Sequence, residues 1–192
     1  MIAHLIRHGD KAQGSGDLGL SELGVRQAHL TGQSLAGRSI TRLYASPLKR
    51  TMETALIIGH YLGLQPVVES AVRERLIYGD RPGETPEEYL EVWEHTCRDR
   101  DFAPPNGDSS RTAGERLDHF LRNLALAEPT AEVVIATHGG IVTDLLRNHY
   151  ADDYLEAQAP GRMHYPNCAI TTLEVTEAGI HILRLVTVDH LG

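Results

Sequence analysis

At 192 residues and a formal charge of −8, the chain has the length of one domain and is too acidic for a general affinity for nucleic acid or an anionic membrane surface. Its 41% apolar and 23% charged residues are those of an ordinary globular protein, which excludes a disordered chain, and no apolar run approaches the ~18 residues that mark a membrane span. An anionic ligand therefore has to be held by local arginines.

Met1-Ile2-Ala3 passes straight into the first strand without a charged leader or a cleavage site, so the chain reads as cytoplasmic. That strand, running to Ile6, ends abruptly in Arg7-His8-Gly9. Lys11 to Gly19 is rich in Gly, Ser, Asp and Gln, the composition of a loop lying over a ligand. Ser21 reads as the N-cap of a helix through about Leu35, with Leu23, Val25, Ala28, Leu30 and Leu35 on its apolar stripe, stopped by Gly37. Thr41 to Ala45 is a second strand, and Ser46-Pro47 opens a helix from Leu48 to Tyr61 that carries Arg50 in its first turn.

Gln65 to Glu69 is a third strand, and the punctuated segment Tyr78 to Gly83 leads to a helix over Pro86 to Arg98. There Tyr89, Val92 and Trp93 face inward, while Glu87, Glu88, Glu91 and Glu94 form a solvated face. Phe102 to Ser110 is a loop, followed by an amphipathic helix from Thr112 to Leu126 with Ala113, Leu117, Phe120, Leu121 and Leu124 inward. Glu132 to Thr137 repeats the opening construction, a strand ending in His138-Gly139-Gly140, and the helix after it is expected to run through His149 to Asp152-Asp153. Ala169 to Val175, a turn through Gly179, and Ile180 to Val186 make a β-hairpin on which His181 is a surface residue. Cys97 and Cys168 lie far apart, show no metal-ligand spacing and read as free thiols.

Of the 11 histidines only His8 and His138 carry a pattern, because both come after a strand at its carboxyl end, where ligands sit in open α/β folds. Arg7 can hold an anion and a neutral His8 can attack it, while Gly9 lets the backbone turn and a ligand approach. Arg50, at a helix start with free N–H groups, adds to such a site; the bland alternative is a solvated Arg on an amphipathic helix.

With Leu20-Ser21-Glu22-Leu23-Gly24, Ser46-Pro47-Leu48-Lys49-Arg50-Thr51, Glu74 in Arg73-Glu74-Arg75, Gly107-Asp108-Ser109 and Asn167-Cys168-Ala169-Ile170, these pieces stand in an order that resembles the histidine phosphatase superfamily, in its phosphoglycerate mutase-like branch. The resemblance spans nearly the whole chain. It implies one domain over residues 1–192, a three-layer α/β/α fold with a mostly parallel sheet, an active site at the carboxyl ends of its strands, and residues 75–116 as a lid-like insertion. The implied activity is metal-independent hydrolysis of a phosphate monoester, without a cofactor, through a phosphohistidine on His8. Arg7 and Arg50 would bind phosphate, His138 would stabilise the transition state, the Gly139 N–H would add a donor, and Glu74 would be the general acid. Asp10 departs from the family's usual residue, and the family's phosphate-touching Asn has no counterpart in the first loop, where Gln13 or Ser15 would substitute. A mutase is the alternative, although the Arg- and Pro-rich gripping inserts of dedicated mutases are not found; a phosphate-binding module without catalysis ranks below both. The expected partner is a small phosphorylated metabolite, and a homodimer is compatible. Sugar phosphates, nucleotide-related phosphates, a ribazole phosphate and phosphohistidine proteins all stay open as substrates.

Overall fold

The computed structural model describes residues 1–192. Six strands, β1 (Ile2–Arg7), β2 (Ile40–Ala45), β3 (Val67–Val68), β4 (Glu132–Thr137), β5 (Ile170–Thr176) and β6 (Gly179–Thr187), form one sheet in the order β3-β2-β4-β1-β5-β6. The first four in that row are parallel, and the hairpin β5-β6 closes the other side antiparallel to β1. Six helices flank the sheet: α1 (Glu22–Leu35), α2 (Lys49–Leu62), α3 (Pro86–Arg98), α4 (Ser110–Ala127), α5 (Gly139–His149) and α6 (Asp152–Gln158).

The central strands β1 and β4 are buried on both faces, which is why they read as continuous apolar runs. Ala3, Leu5, Val133 and Ile135 pack on Leu117, Leu121, Leu145 and Leu146 of α4 and α5. Ile6, Val134 and Ala136 face the other way, onto Leu35, Ala55 and Ile58 of α1 and α2. The result is the expected three-layer α/β/α fold with its C-terminal hairpin. No helix is long and apolar enough to cross a membrane.

Four local expectations are corrected. On α1, Leu23, Val25 and Leu30 are exposed, and the buried stripe is Gly24, Ala28, Thr31, Gly32 and Leu35. The helix sits too close to its neighbours for large residues: a Cβ on Gly24 would collide with the Asp10 backbone, and one on Gly32 with the Tyr61 ring. The third strand shrinks to Val67–Val68, since Pro66 has no N–H and the Glu69 side chain instead caps a short 3₁₀ turn by accepting from Ala71 N at 2.8 Å. Asp152 and Asp153 do not end α5; Tyr150 is extended, and the two carboxylates open the separate helix α6, where they meet the positive end of its dipole. Finally, α4 begins at Ser110, because the Ser109 side chain caps it by accepting from Thr112 N. On α3, Tyr89, Val92 and Trp93 are half-buried, and Thr85 and Glu88 form a reciprocal capping box at its start. Both cysteines are free thiols.

Candidate active site

Parallel pairing of Arg7 with Thr137 brings β1 and β4 to the same level, so His8 and His138 leave adjacent strand ends and meet edge to face with ring centroids 5.3 Å apart. The His8 backbone is clamped: its N–H donates to Thr137 O at 2.9 Å, and its carbonyl accepts from Cys168 N at 3.3 Å and Asn167 Nδ2 at 3.2 Å. His8 Nδ1 lies 2.7 Å from Gly9 O, which can only accept, so Nδ1 carries the proton and Nε2 holds the lone pair. Burial, reinforced by the nearby Arg50, holds this imidazole well below its ordinary pKa, in the neutral form. Gly9 is required by close approach, because a Cβ there would stand 2.6 Å from Gly24 O. Its N–H donates to Thr54 Oγ1 at 3.1 Å, fastening the turn to α2.

Arg50, in the first turn of α2, donates from Nη2 to His138 Nδ1 at 3.2 Å, and His138 Nε2 is 2.8 Å from Ser46 Oγ. Because Arg only donates, neutral His138 carries its proton on Nε2 and gives it to the serine. Burial first, then Arg50 and His8, push the His138 pKa well down. Arg50 Nε is the one buried side-chain polar atom without a hydrogen-bond partner. Arg7 donates to the carbonyl of Tyr165, and neither it nor Arg50 pairs with a carboxylate. Glu74 is buried, with Oε1 accepting from Arg75 N at 2.9 Å and Oε2 from Gly140 N at 3.0 Å. Burial raises its pKa against the pull of the Arg75 charge.

Arg7, His8, Arg50, Glu74 and Gly139 share the wall of one cavity of about 800 Å³. Gly139 opens α5, where first-turn N–H groups lack intrahelical acceptors. Gln13 reaches the wall. Ser15 does not; it is exposed and lies over Gly79. His138 sits just behind the wall, between Ser46 and Arg50. No group of three or more His, Cys, Asp or Glu side chains comes together as a metal-holding cluster.

Residues 3–188 match the family model of the histidine phosphatase superfamily, branch 1. The chain belongs to the histidine phosphatase superfamily. Among curated relatives, a probable phosphoglycerate mutase GpmB of Yersinia pestis is 30% identical over 188 residues, covering 91% of this chain and 85% of that protein. Among solved structures, a mycobacterial glucosyl-3-phosphoglycerate phosphatase aligns at a TM-score of 0.75 and 23% identity, over 97% of this chain and 99% of its own. A variant phosphoserine phosphatase from Entamoeba histolytica, in complex with phosphoserine, aligns at 0.74 and 22% identity, over 100% and 99%. At these identities the two structures bear on the fold alone, which they share with this chain.

In this member of the superfamily three features of the site escaped sequence reading. Tyr165, fully buried, and Cys168 adopt left-handed backbone conformations with φ of 57° and 55°, which turn the Tyr165 carbonyl onto Arg7 and the Cys168 N–H onto Arg7 O and His8 O. Ser46, read only as a helix opener, accepts from His138 Nε2 and so holds the ring in the tautomer that Arg50 sets. Arg75 forms a buried ion pair with Asp144 at 2.7 Å, lies 3.7 Å over the Trp93 ring, and bonds Thr96 Oγ1 at 3.2 Å and Cys97 Sγ at 3.0 Å. Asp144 also accepts from Ser110 Oγ at 2.6 Å, so one pair ties α3, α4 and α5 together directly behind Glu74. The one available signal was a charged residue at a position of α5 that helical spacing turns inward.

Proposed function

We propose that this histidine phosphatase hydrolyses phosphate monoesters through a phosphohistidine on His8. The observation that carries the reading is that Arg7 and Arg50, neither in contact with a carboxylate and Arg50 with its Nε buried and unpartnered, line one cavity with His8, whose Nε2 holds the lone pair. A monoester dianion repels a nucleophile until its charge is met, and two planar guanidinium forks meet it without the help of a metal.

Nε2 attacks phosphorus, the bond to the leaving oxygen breaks, and the proton of Glu74 passes to that oxygen as the alcohol departs. Glu74 is suited to this because burial favours its protonated form. The dianion draws Arg50 off His138 Nδ1; the vacated nitrogen takes a proton from solvent water, donates it in a hydrogen bond to an equatorial oxygen and returns it to water once phosphate has left, while Ser46 keeps Nε2 in place. Gly139 N–H is a further donor. Glu74, now a carboxylate, removes a proton from water as it attacks the phosphohistidine, and phosphate leaves with His8 neutral again. Residues 75–116 are read as a lid, of which α3 lines the cavity, and Gln13, which lines it from the first loop, is the stand-in for the missing Asn.

The relatives named as probable mutases favour a second reading, in which the same phosphohistidine returns its phosphoryl group to a retained product. A panel of phosphate monoesters, with phosphate release and 2-phosphoglycerate formation from 3-phosphoglycerate followed together, separates the two. Hydrolysis undiminished by EDTA is expected; isomerisation outrunning hydrolysis, or loss of turnover on chelation that a divalent ion restores, contradicts the proposal.

A further inference from the structure

We propose that the ester taken by this site carries a planar ring on its leaving alcohol, seated against Tyr78, Tyr89 and Trp93. The inference rests on the phosphatase reading and deepens it. A phosphoryl group fills only one end of a cavity of about 800 Å³, so the remaining space belongs to the leaving group. The chain is poor in aromatic residues, with 1 Trp, 7 Tyr and 2 Phe, yet three of them stand in a row on this wall. Tyr78 and Tyr89 have ring centroids 5.4 Å apart, and Tyr89 and Trp93 6.0 Å apart. Leu90 and Pro86 extend the same apolar surface.

The Trp93 end of the row is held in place before any ligand arrives. Arg75 covers one side of Trp93 at 3.7 Å and is itself fixed by Asp144. Charge at the far end is already balanced: Arg75 is paired with Asp144, and Arg147 is paired through two contacts with Asp152 at 2.8 and 2.9 Å. Lys11, at the rim and 5.9 Å from the Tyr78 centroid, is the one cation on the wall outside the Arg7–Arg50 end that has no carboxylate partner. A second anionic group thus finds little to bind there, whereas an uncharged ring finds faces to stack on.

Three esters of primary alcohols with similar leaving groups test this: 2-phenylethyl, 2-cyclohexylethyl and n-propyl phosphate. The phenyl ester is expected to exceed the propyl ester in kcat/KM by about 5- to 150-fold, the range of one ring stacked on aromatic side chains. It should also exceed the cyclohexyl ester, which is as apolar but puckered. In a Tyr78→Leu/Tyr89→Leu variant the phenyl-to-propyl ratio should collapse toward one; a ratio within one protein is unaffected by partial loss of folded enzyme. Equal kcat/KM for all three esters overturns the inference while leaving the phosphatase reading intact, as does turnover confined to acid-bearing esters. A cyclohexyl ester as good as the phenyl one overturns the planar ring, and a ratio retained in the variant overturns the assignment to this wall. Turnover of no monoester at all removes the phosphatase reading, and the inference falls with it.

Discussion

At the end of the cavity proposed to hold phosphate the histidines and arginines leave the end of a strand or the start of a helix, and hydrogen bonds to the backbone hold the first strand's end: His8 between Thr137, Cys168 and Asn167, Arg7 under the Tyr165 carbonyl, Gly9 on Thr54. At the opposite end α3 is fastened by side chains, above all the buried Arg75–Asp144 pair with its links to Thr96, Cys97 and Ser110. The difference separates two kinds of sensitivity. Truncating a side chain at the first end removes chemistry from a frame that stays in place, whereas a change at the second moves a wall and loosens the fold.

His8→Ala breaks the comparison most severely if it fails. It is expected to abolish turnover of every ester while the thermal midpoint and near-UV circular dichroism stay close to wild type, because the backbone clamps do not involve the ring; a variant that unfolds would place the histidine among the structural supports. Next in size is Glu74→Gln. With an alkyl ester the loss should be about 10²- to 10⁴-fold, and with 4-nitrophenyl phosphate, whose phenolate leaves unprotonated, the phosphorylation step should lose far less in a single turnover. The pH profile of kcat/KM sharpens the same assignment. The proposed mechanism requires neutral His8, whose pKa is depressed, so activity should fall on the acid side; it requires protonated Glu74, whose pKa is raised, so activity should fall on the alkaline side, and Glu74→Gln should flatten that alkaline limb.

For the side-chain-fastened wall, Asp144→Asn leaves Arg75 buried without its counter-charge and should cost about 3–5 kcal/mol of stability by chemical denaturation. Arg75→Met/Asp144→Leu, which removes both charges, should recover much of it. Stability in the double variant no better than in the single one would mean that the pair acts through shape rather than charge. The smallest expected effect is that of pH on folding. Unfolded His8 and His138 bind protons at their ordinary pKa while the folded ones resist, so stability falls as pH drops below about 6.5, by up to about 1.4 kcal/mol per pH unit for each imidazole. His8→Ala should lose its share of that slope; an unchanged slope would assign it to other groups.

The two ends also differ in how far the sequence exposes them. Strands buried on both faces read as apolar runs, and residues just past the carboxyl end of such a run lie where ligands bind, so Arg7, His8 and His138 are legible from pattern alone. Glu74 is legible only through resemblance to the family, because a lone acid between two arginines looks like any surface triplet. The α1 face departs from its reading since periodicity locates a stripe but not the distance to the neighbouring backbone, and at close approach Gly24 and Gly32 take the buried side. The left-handed turns at Tyr165 and Cys168 leave no mark in residue type. Arg75 and Asp144 are 69 positions apart, and nothing local to either announces the other.

Whether the phosphoryl group passes through His8 is tested most directly by intact-protein mass spectrometry of Glu74→Gln, quenched at alkaline pH soon after mixing with 4-nitrophenyl phosphate. Slowed attack of water should let the covalent species accumulate, as a mass increment of one phosphoryl group that acid removes and that fragmentation assigns to His8. A phosphoryl group found on another residue, or burst release of nitrophenolate with no covalent increment on the protein, would contradict the mechanism.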